Sequence, residues 1–152
     1  MKKPLVMQVE DDPNDVLLFN RAFKKAQMEA DLQAIEDGDQ FVSLLSSLAE
    51  SAGPLPKLVL LDIKLPRKSG FEVLQWLRSH PVLKGVPVIM LTSSSQPFDV
   101  RRAYELGANA YLVKPMDVDE IVRLLATIRD FWLTANLASP GHYTTATEVP
   151  RA

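Results

Sequence analysis

The chain of 152 residues contains no cysteine, so disulfides and thiolate metal sites are excluded, and a reducing compartment fits. It also has little net charge. Its 17 basic and 19 acidic residues leave −2 at pH 7, so nothing global would draw it to nucleic acid or to an anionic membrane. No cluster of Lys and Arg marks a recognition helix. Long apolar runs are missing too: none approaches the roughly 20 residues needed to cross a bilayer. The stretch after Met1-Lys2-Lys3-Pro4 is brief and holds Gln8, whereas a signal peptide needs roughly 7–15 apolar residues and a small-residue cleavage site. The expectation is a cytoplasmic protein that works neither on nucleic acid nor in a membrane.

What is present is the composition of one soluble globular domain, with 47% hydrophobic and 24% charged residues. Short apolar runs alternate with helical patterns. Leu5–Val9 is apolar apart from Gln8 and suits an interior parallel strand. Asp12-Pro13 reads as a cap with proline in the first turn of a helix over about residues 14–27. Residues Asp31–Ile35 alternate polar and apolar, as an edge strand does. Asp37-Gly38-Asp39 then turns into a second helix whose stripe is Phe41, Val42, Leu44, Leu45 and Leu48.

A loop over 51–56 leads to a strand at Lys57–Leu61. Ser69 and Glu72 have the spacing of a capping box at the start of a third helix. A strand at Val86–Leu91 follows, then a helix from Pro97 to just before Gly107, and a strand at Asn109–Val113. Asp117 caps a last helix that should run to about Leu133. From residue 137 the composition shifts to Ser, Pro, Gly and Thr, which predicts a flexible tail over 137–152 after a domain at 1–136. Five strands alternating with five helices imply an α/β fold, a doubly wound parallel sheet with helices on both faces.

The chemistry lies where the strands should end. Glu10 and Asp11 follow the first run, Asp62 the third, Thr92 and Ser93 the fourth, and Lys114-Pro115 the fifth. In an open parallel sheet these ends gather on one rim, where ligands bind. An isolated acidic triplet such as Glu10-Asp11-Asp12 is more often a solvated turn. Beside Asp62, however, the carboxylates would repel one another unless a cation joined them, and oxygen ligands suit Mg²⁺. Asp62 has two readings, a loop cap or a nucleophile that forms an aspartyl phosphate. Lys114 alone would be a surface lysine; on this rim it can pair with phosphoryl oxygens. Thr92, otherwise a turn hydroxyl, can hydrogen-bond a transferred phosphoryl group.

These residues resemble the receiver domains of two-component response regulators. The resemblance covers about residues 4–133. It rests on Val9-Glu10-Asp11-Asp12-Pro13, on Leu60-Leu61-Asp62-Ile63-Lys64-Leu65-Pro66 with Gly70, on Leu91-Thr92-Ser93, on Gly107-Ala108, and on Tyr111-Leu112-Val113-Lys114-Pro115. Each motif is common alone; their order and spacing are specific.

The resemblance implies the flavodoxin-like strand order 2-1-3-4-5. It implies that Asp62 is the phospho-acceptor, taking its phosphoryl group from a sensor histidine kinase. Mg²⁺ would be held by Asp11 and Asp62, by Glu10 mainly through water, and by the backbone carbonyl of Lys64. Thr92 and Tyr111 would form the switch pair, Lys114 would pair with the acyl phosphate, and the Lys114-Pro115 bond would be cis. The output surface would be the fourth helix, fifth strand and fifth helix. Lys64, two residues after the acceptor, stands where its side chain can affect acyl-phosphate lifetime.

The resemblance extends to single-domain regulators partnered with bacterial phytochromes, through Leu65-Pro66-Arg67-Lys68 and the ending Phe131-Trp132-Leu133. It therefore implies a bacteriophytochrome kinase, a homodimer, and a downstream protein target that the sequence does not name. The three residues at 131–133 have two readings, packing on the domain's own core or an exposed patch for self-association.

Three other classes were weighed. A haloacid-dehalogenase-type phosphatase wants a second aspartate two residues after the nucleophile, where this chain has Lys64. A flavin carrier wants a hydroxyl- and glycine-rich loop where it has Glu-Asp-Asp-Pro. A phosphorylation-independent binding module on the same fold is the remaining alternative. On this reading the protein is a switch and not an enzyme, with only self-directed phosphoryl transfer and hydrolysis.

Overall fold

The computed structural model describes residues 3–137. Apart from Leu137, the tail expected over 137–152 lies outside the described residues. The elements run β1 Leu5–Val9, α1 Pro13–Lys25, β2 Asp31–Ile35, α2 Gly38–Glu50, β3 Leu58–Leu61, α3 Gly70–Ser79, β4 Val88–Thr92, α4 Pro97–Glu105, β5 Ala110–Val113 and α5 Val118–Ile128. The strands form one parallel sheet in the order β2-β1-β3-β4-β5, as expected, with β2 at an edge.

Alternation along the strands explains the two layers of core. Met7, Val9, Val59, Leu61, Val88 and Met90 face Phe41 and Leu45 of α2 and Val73, Leu74 and Leu77 of α3. Val6, Leu58, Leu60, Ile89 and Leu91 face Phe19, Ala22 and Phe23 of α1 and Ile121, Leu125 and Ile128 of α5. The central strands β3 and β4 are therefore buried on both faces, which is why they read as unbroken apolar runs.

The helix starts follow the sequence signals. Asp12 accepts from the Asn14 amide with Pro13 opening α1, and Ser69 and Glu72 complete the capping box of α3. Asp37 and Asp117 cap α2 and α5 by accepting from Gln40 and Glu120. Gly107 ends the α4 region at φ +103°, a conformation glycine adopts without strain.

Several boundaries differ from expectation. β3 and β5 each begin one residue later than expected, at Leu58 and Ala110. β4 begins at Val88 instead of Val86, because the Val86 amide turns back to the Leu83 carbonyl and Pro87 has no N–H to donate. Thr92, expected just beyond that strand, is its last residue and pairs with Val113. The last helix does run past Ile128, but residues Arg129–Ala135 form a π-helical segment. The Lys114-Pro115 bond is trans, not cis; trans is the favoured isomer of an X-Pro bond by about 0.5–1 kcal/mol.

Candidate functional site

Glu10, Asp62, Thr92 and Lys114 stand at the carboxyl ends of strands and are tied there by further inter-strand bonds. The Glu10 amide donates to the Ile35 carbonyl at 2.9 Å, and the Asp62 amide to the Val9 carbonyl at 3.1 Å. The Lys114 amide donates to the Thr92 carbonyl at 2.8 Å. The sheet thus fixes the backbones of Glu10, Asp62, Thr92 and Lys114 on one rim. Glu10, Asp62 and Thr92 are buried, while Asp11 is exposed.

Carboxylate oxygens of Glu10, Asp11 and Asp62 all lie within 4.8 Å of one another. Three hard oxygen donors at that spacing fit a divalent cation such as Mg²⁺ or Mn²⁺ and do not suit a soft metal. Lys64 lies in the exposed loop directly after Asp62, on the same side of the sheet. That loop is drawn close by Gly70. A Cβ on Gly70 would sit 2.1 Å from the Asp62 carbonyl oxygen, so no larger residue fits there without moving the strand end.

The Asp62 carboxylate is oriented at both oxygens. Oδ1 accepts from the Ile63 amide at 2.7 Å, and Oδ2 accepts from Lys114 Nζ at 2.9 Å. The Lys114 ammonium also pairs with Glu10, and with Asp15 at 3.0 Å. Burial by itself would lower the lysine's pKa; hydrogen bonds to Glu10, Asp62 and Asp15 outweigh it and raise the value. Burial is also the main influence on Glu10. Helped by the Asp62 charge and opposed by Lys114, it pushes that carboxyl up from 4.5 to about 7.

Tyr111 is half-buried on β5, and its hydroxyl donates to the Ser94 carbonyl at 2.9 Å. This bond joins the ring to the β4–α4 loop, two residues past Thr92. Burial raises the phenol's pKa, with smaller upward contributions from Asp99 and Asp62, while the bond to Ser94 lowers it.

All seven expected site residues therefore lie at or beside this rim. Asp15 is the charged residue that sequence reading missed. It stands in the first turn of α1, whereas Asp11 precedes the Asp12 cap and is not helical, so no helical spacing ties Asp15 to the acidic pair.

Residues 6–126 match the family model for the response regulator receiver domain. The chain is 34% identical over 137 residues to the probable methanogenesis regulatory protein FilR2 of Methanothrix harundinacea, covering 90% of this chain and 88% of that one. It is 35% identical over 130 residues to the response regulator Rcp1 of Synechocystis, covering 85% and 88%. The crystal structure of Mn²⁺-bound Rcp1 superposes with a TM-score of 0.78 over 90% of this chain and 99% of that one, at 33% identity. The phosphorylated cyanobacterial phytochrome response regulator RcpA gives a TM-score of 0.80 at 30% identity, over 91% and 99%. An acidic cluster at the carboxyl rim of a parallel sheet ordered 2-1-3-4-5, together with these matches, assigns the chain to the response regulator receiver domain family.

Proposed function

We propose that this protein is a phospho-acceptor switch in which Asp62 takes a phosphoryl group from the phosphohistidine of a sensor histidine kinase. The observation that carries the reading is the setting of Asp62. It is buried at the end of β3, grouped with Glu10 and Asp11, and bonded through one oxygen to Lys114. In the transfer, a carboxylate oxygen of Asp62 forms the new P–O bond as the P–N bond to the kinase histidine breaks, and the electron pair leaves with the imidazole.

Glu10, Asp11 and Asp62, with the Lys64 carbonyl, are the residues that would hold Mg²⁺. The ion would supply charge compensation for the phosphoryl oxygens beside three carboxylates. Lys114 offers its ammonium to the phosphoryl group from the other side, and the Thr92 hydroxyl donates a hydrogen bond to it. These contacts exist only with the phosphoryl group present, so they bias a pre-existing equilibrium between two arrangements of the Thr92–Tyr111 pair. The readout is the surface made by α4, β5 and α5, where Phe98, Tyr104, Val113 and Met116 are exposed. Signalling of this kind needs only self-directed phosphoryl transfer and hydrolysis.

The kinase is proposed to be a bacteriophytochrome, on the likeness to the phytochrome response regulator RcpA. The likeness to FilR2 extends over a similar span, so the kinase class rests on the receiver chemistry and the phytochrome partner on the likeness to RcpA. Self-association through the end of the last helix completes the proposal. Trp132 and Leu133 pack against the α1/α5 core, whereas Phe131 remains 51% exposed.

The test is intact mass after incubation with acetyl phosphate, with and without Mg²⁺, on wild type and Asp62→Asn. A single Mg²⁺-dependent phosphoryl adduct that is lost in the variant is expected. Equal incorporation in Asp62→Asn would remove Asp62 from its role. No adduct on folded, metal-bound wild type would favour a phosphorylation-independent binding module.

A further inference from the structure

Lys114 is bound by three carboxylates, and the phospho-acceptor reading accounts for two of them. An ammonium has three N–H donors. Here they meet Glu10, Asp62 Oδ2 at 2.9 Å and Asp15 Oδ2 at 3.0 Å. Glu10 and Asp62 belong to the group of oxygens that converge for a cation; Asp15 does not. Once a divalent ion and a phosphoryl group occupy the rim, the Glu10 and Asp62 oxygens have other partners. Asp15 alone is then free to keep hold of the lysine.

The surroundings of Lys114 make such a hold useful. The residue leaves an edge strand whose last position, Val113, is 48% exposed. Lys114 and Asp15 themselves line a cavity of about 220 Å³, together with Glu10, Gln8, Ser93 and Met116. Gln8 Oε1 is buried and has no hydrogen-bond partner among the described residues. A four-carbon stem released from α1 would therefore have both this cavity and solvent to move through, and a lysine stem has many rotamers open to it.

We propose that Asp15 is a positioning residue, an anchor on α1 that keeps the Lys114 ammonium within reach of Asp62 whether or not the phosphoryl group is present. This role rests on the phospho-acceptor reading and deepens it. Asp15 touches neither phosphoryl group nor metal; it acts through Lys114. The bond between Asp15 and Lys114 joins α1 to the chain just past β5, so the helix that follows the metal-binding turn also sets the aim of the cation opposite it.

The test measures phosphoryl uptake from acetyl phosphate in wild type, Asp15→Asn, Asp15→Glu, Lys114→Ala and the double variant Asp15→Asn/Lys114→Ala. The Mg²⁺ dissociation constant and thermal midpoint are measured alongside. Asp15→Asn should slow uptake about three- to fivefold, the range of a partly exposed ion pair, with the Mg²⁺ constant within about twofold of wild type. Asp15→Glu should restore the rate, and the double variant should match Lys114→Ala. In metal-free protein, acetylation of Lys114 by an amine-reactive ester, read by mass spectrometry, should rise in Asp15→Asn.

Unchanged uptake in Asp15→Asn would overturn the proposal, as would equal slowing in the Lys114→Ala background or a matching loss of Mg²⁺ affinity. Failure of wild type to take up phosphoryl would instead overturn the phospho-acceptor reading itself. The lysine-labelling result would still report on the anchor in that case.

Discussion

Lys114, one residue past the end of β5, is tied to Thr92, the last residue of β4: the lysine amide donates to the threonine carbonyl at 2.8 Å. The two residues proposed to contact the phosphoryl group are thus joined through backbone.

Replacing Lys114 by Ala should destabilise the metal-free protein by about 1–3 kcal/mol, because two buried carboxylates lose their shared cation. Mg²⁺ binding should survive and recover most of that loss. Phosphorylation should no longer alter partner binding. Denaturant unfolding with and without Mg²⁺ checks the first part. A full partner response in the variant would show that the lysine is dispensable.

Glu10 makes the metal-free protein pH-sensitive. Its carboxyl holds a proton more tightly in the fold, at about 7, than at the ordinary 4.5. Its contribution therefore favours the fold at low pH and is lost as pH rises from about 4.5 to about 7. Mg²⁺ must displace that proton, so its affinity should be about tenfold weaker at pH 6 than at pH 8. Metal titrations at the two pH values test this, and Glu10→Gln should flatten the dependence.

Gly70→Ala should be among the most damaging single-methyl changes. The added carbon would meet the Asp62 carbonyl oxygen at 2.1 Å, and a backbone atom cannot swing aside as a side chain can. A loss of more than about 2 kcal/mol and weaker Mg²⁺ binding are expected. Wild-type values for both would show that the β3–α3 loop is looser than its contacts indicate.

Tyr111→Phe removes only the hydroxyl that donates to Ser94. A stability loss of about 1 kcal/mol should follow, with phosphoryl uptake near wild type and a changed partner response. Uptake that collapsed would place the ring in the transfer step instead of the switch.

Phe131→Glu puts a charge on the exposed ring of the terminal segment and leaves Trp132 and Leu133 in their packing. If this face joins two copies, sedimentation should show a dimer in wild type and a monomer in the variant at the same concentration. A dimer in both would move the interface elsewhere.

The fold was legible because its signals are local and agree. Unbroken apolar runs announce strands covered on both faces, and Asp12, Asp37, Ser69 and Asp117 announce helix starts by the bonds they go on to make. The boundaries that moved were those where neighbouring structure outweighed local pattern. Val86 is as apolar as the strand after it, yet its amide is spent on Leu83. The turn after α3 therefore decides where β4 begins.

The sequence by itself determined which residues stand at the strand ends, since a parallel sheet delivers its carboxyl ends to one rim whatever lies between. It therefore named Glu10, Asp11, Asp62, Thr92 and Lys114, while Lys64 and Tyr111 came from the family resemblance. Only tertiary structure decided how they are joined: that Glu10 is buried enough to hold a proton near neutrality, and that Tyr111 reaches Ser94. It also decided that Asp15, 99 positions away along the chain, shares the lysine. Pairing across that distance depends on α1 packing beside α5, the helix that follows the lysine, and no periodicity within either segment encodes it.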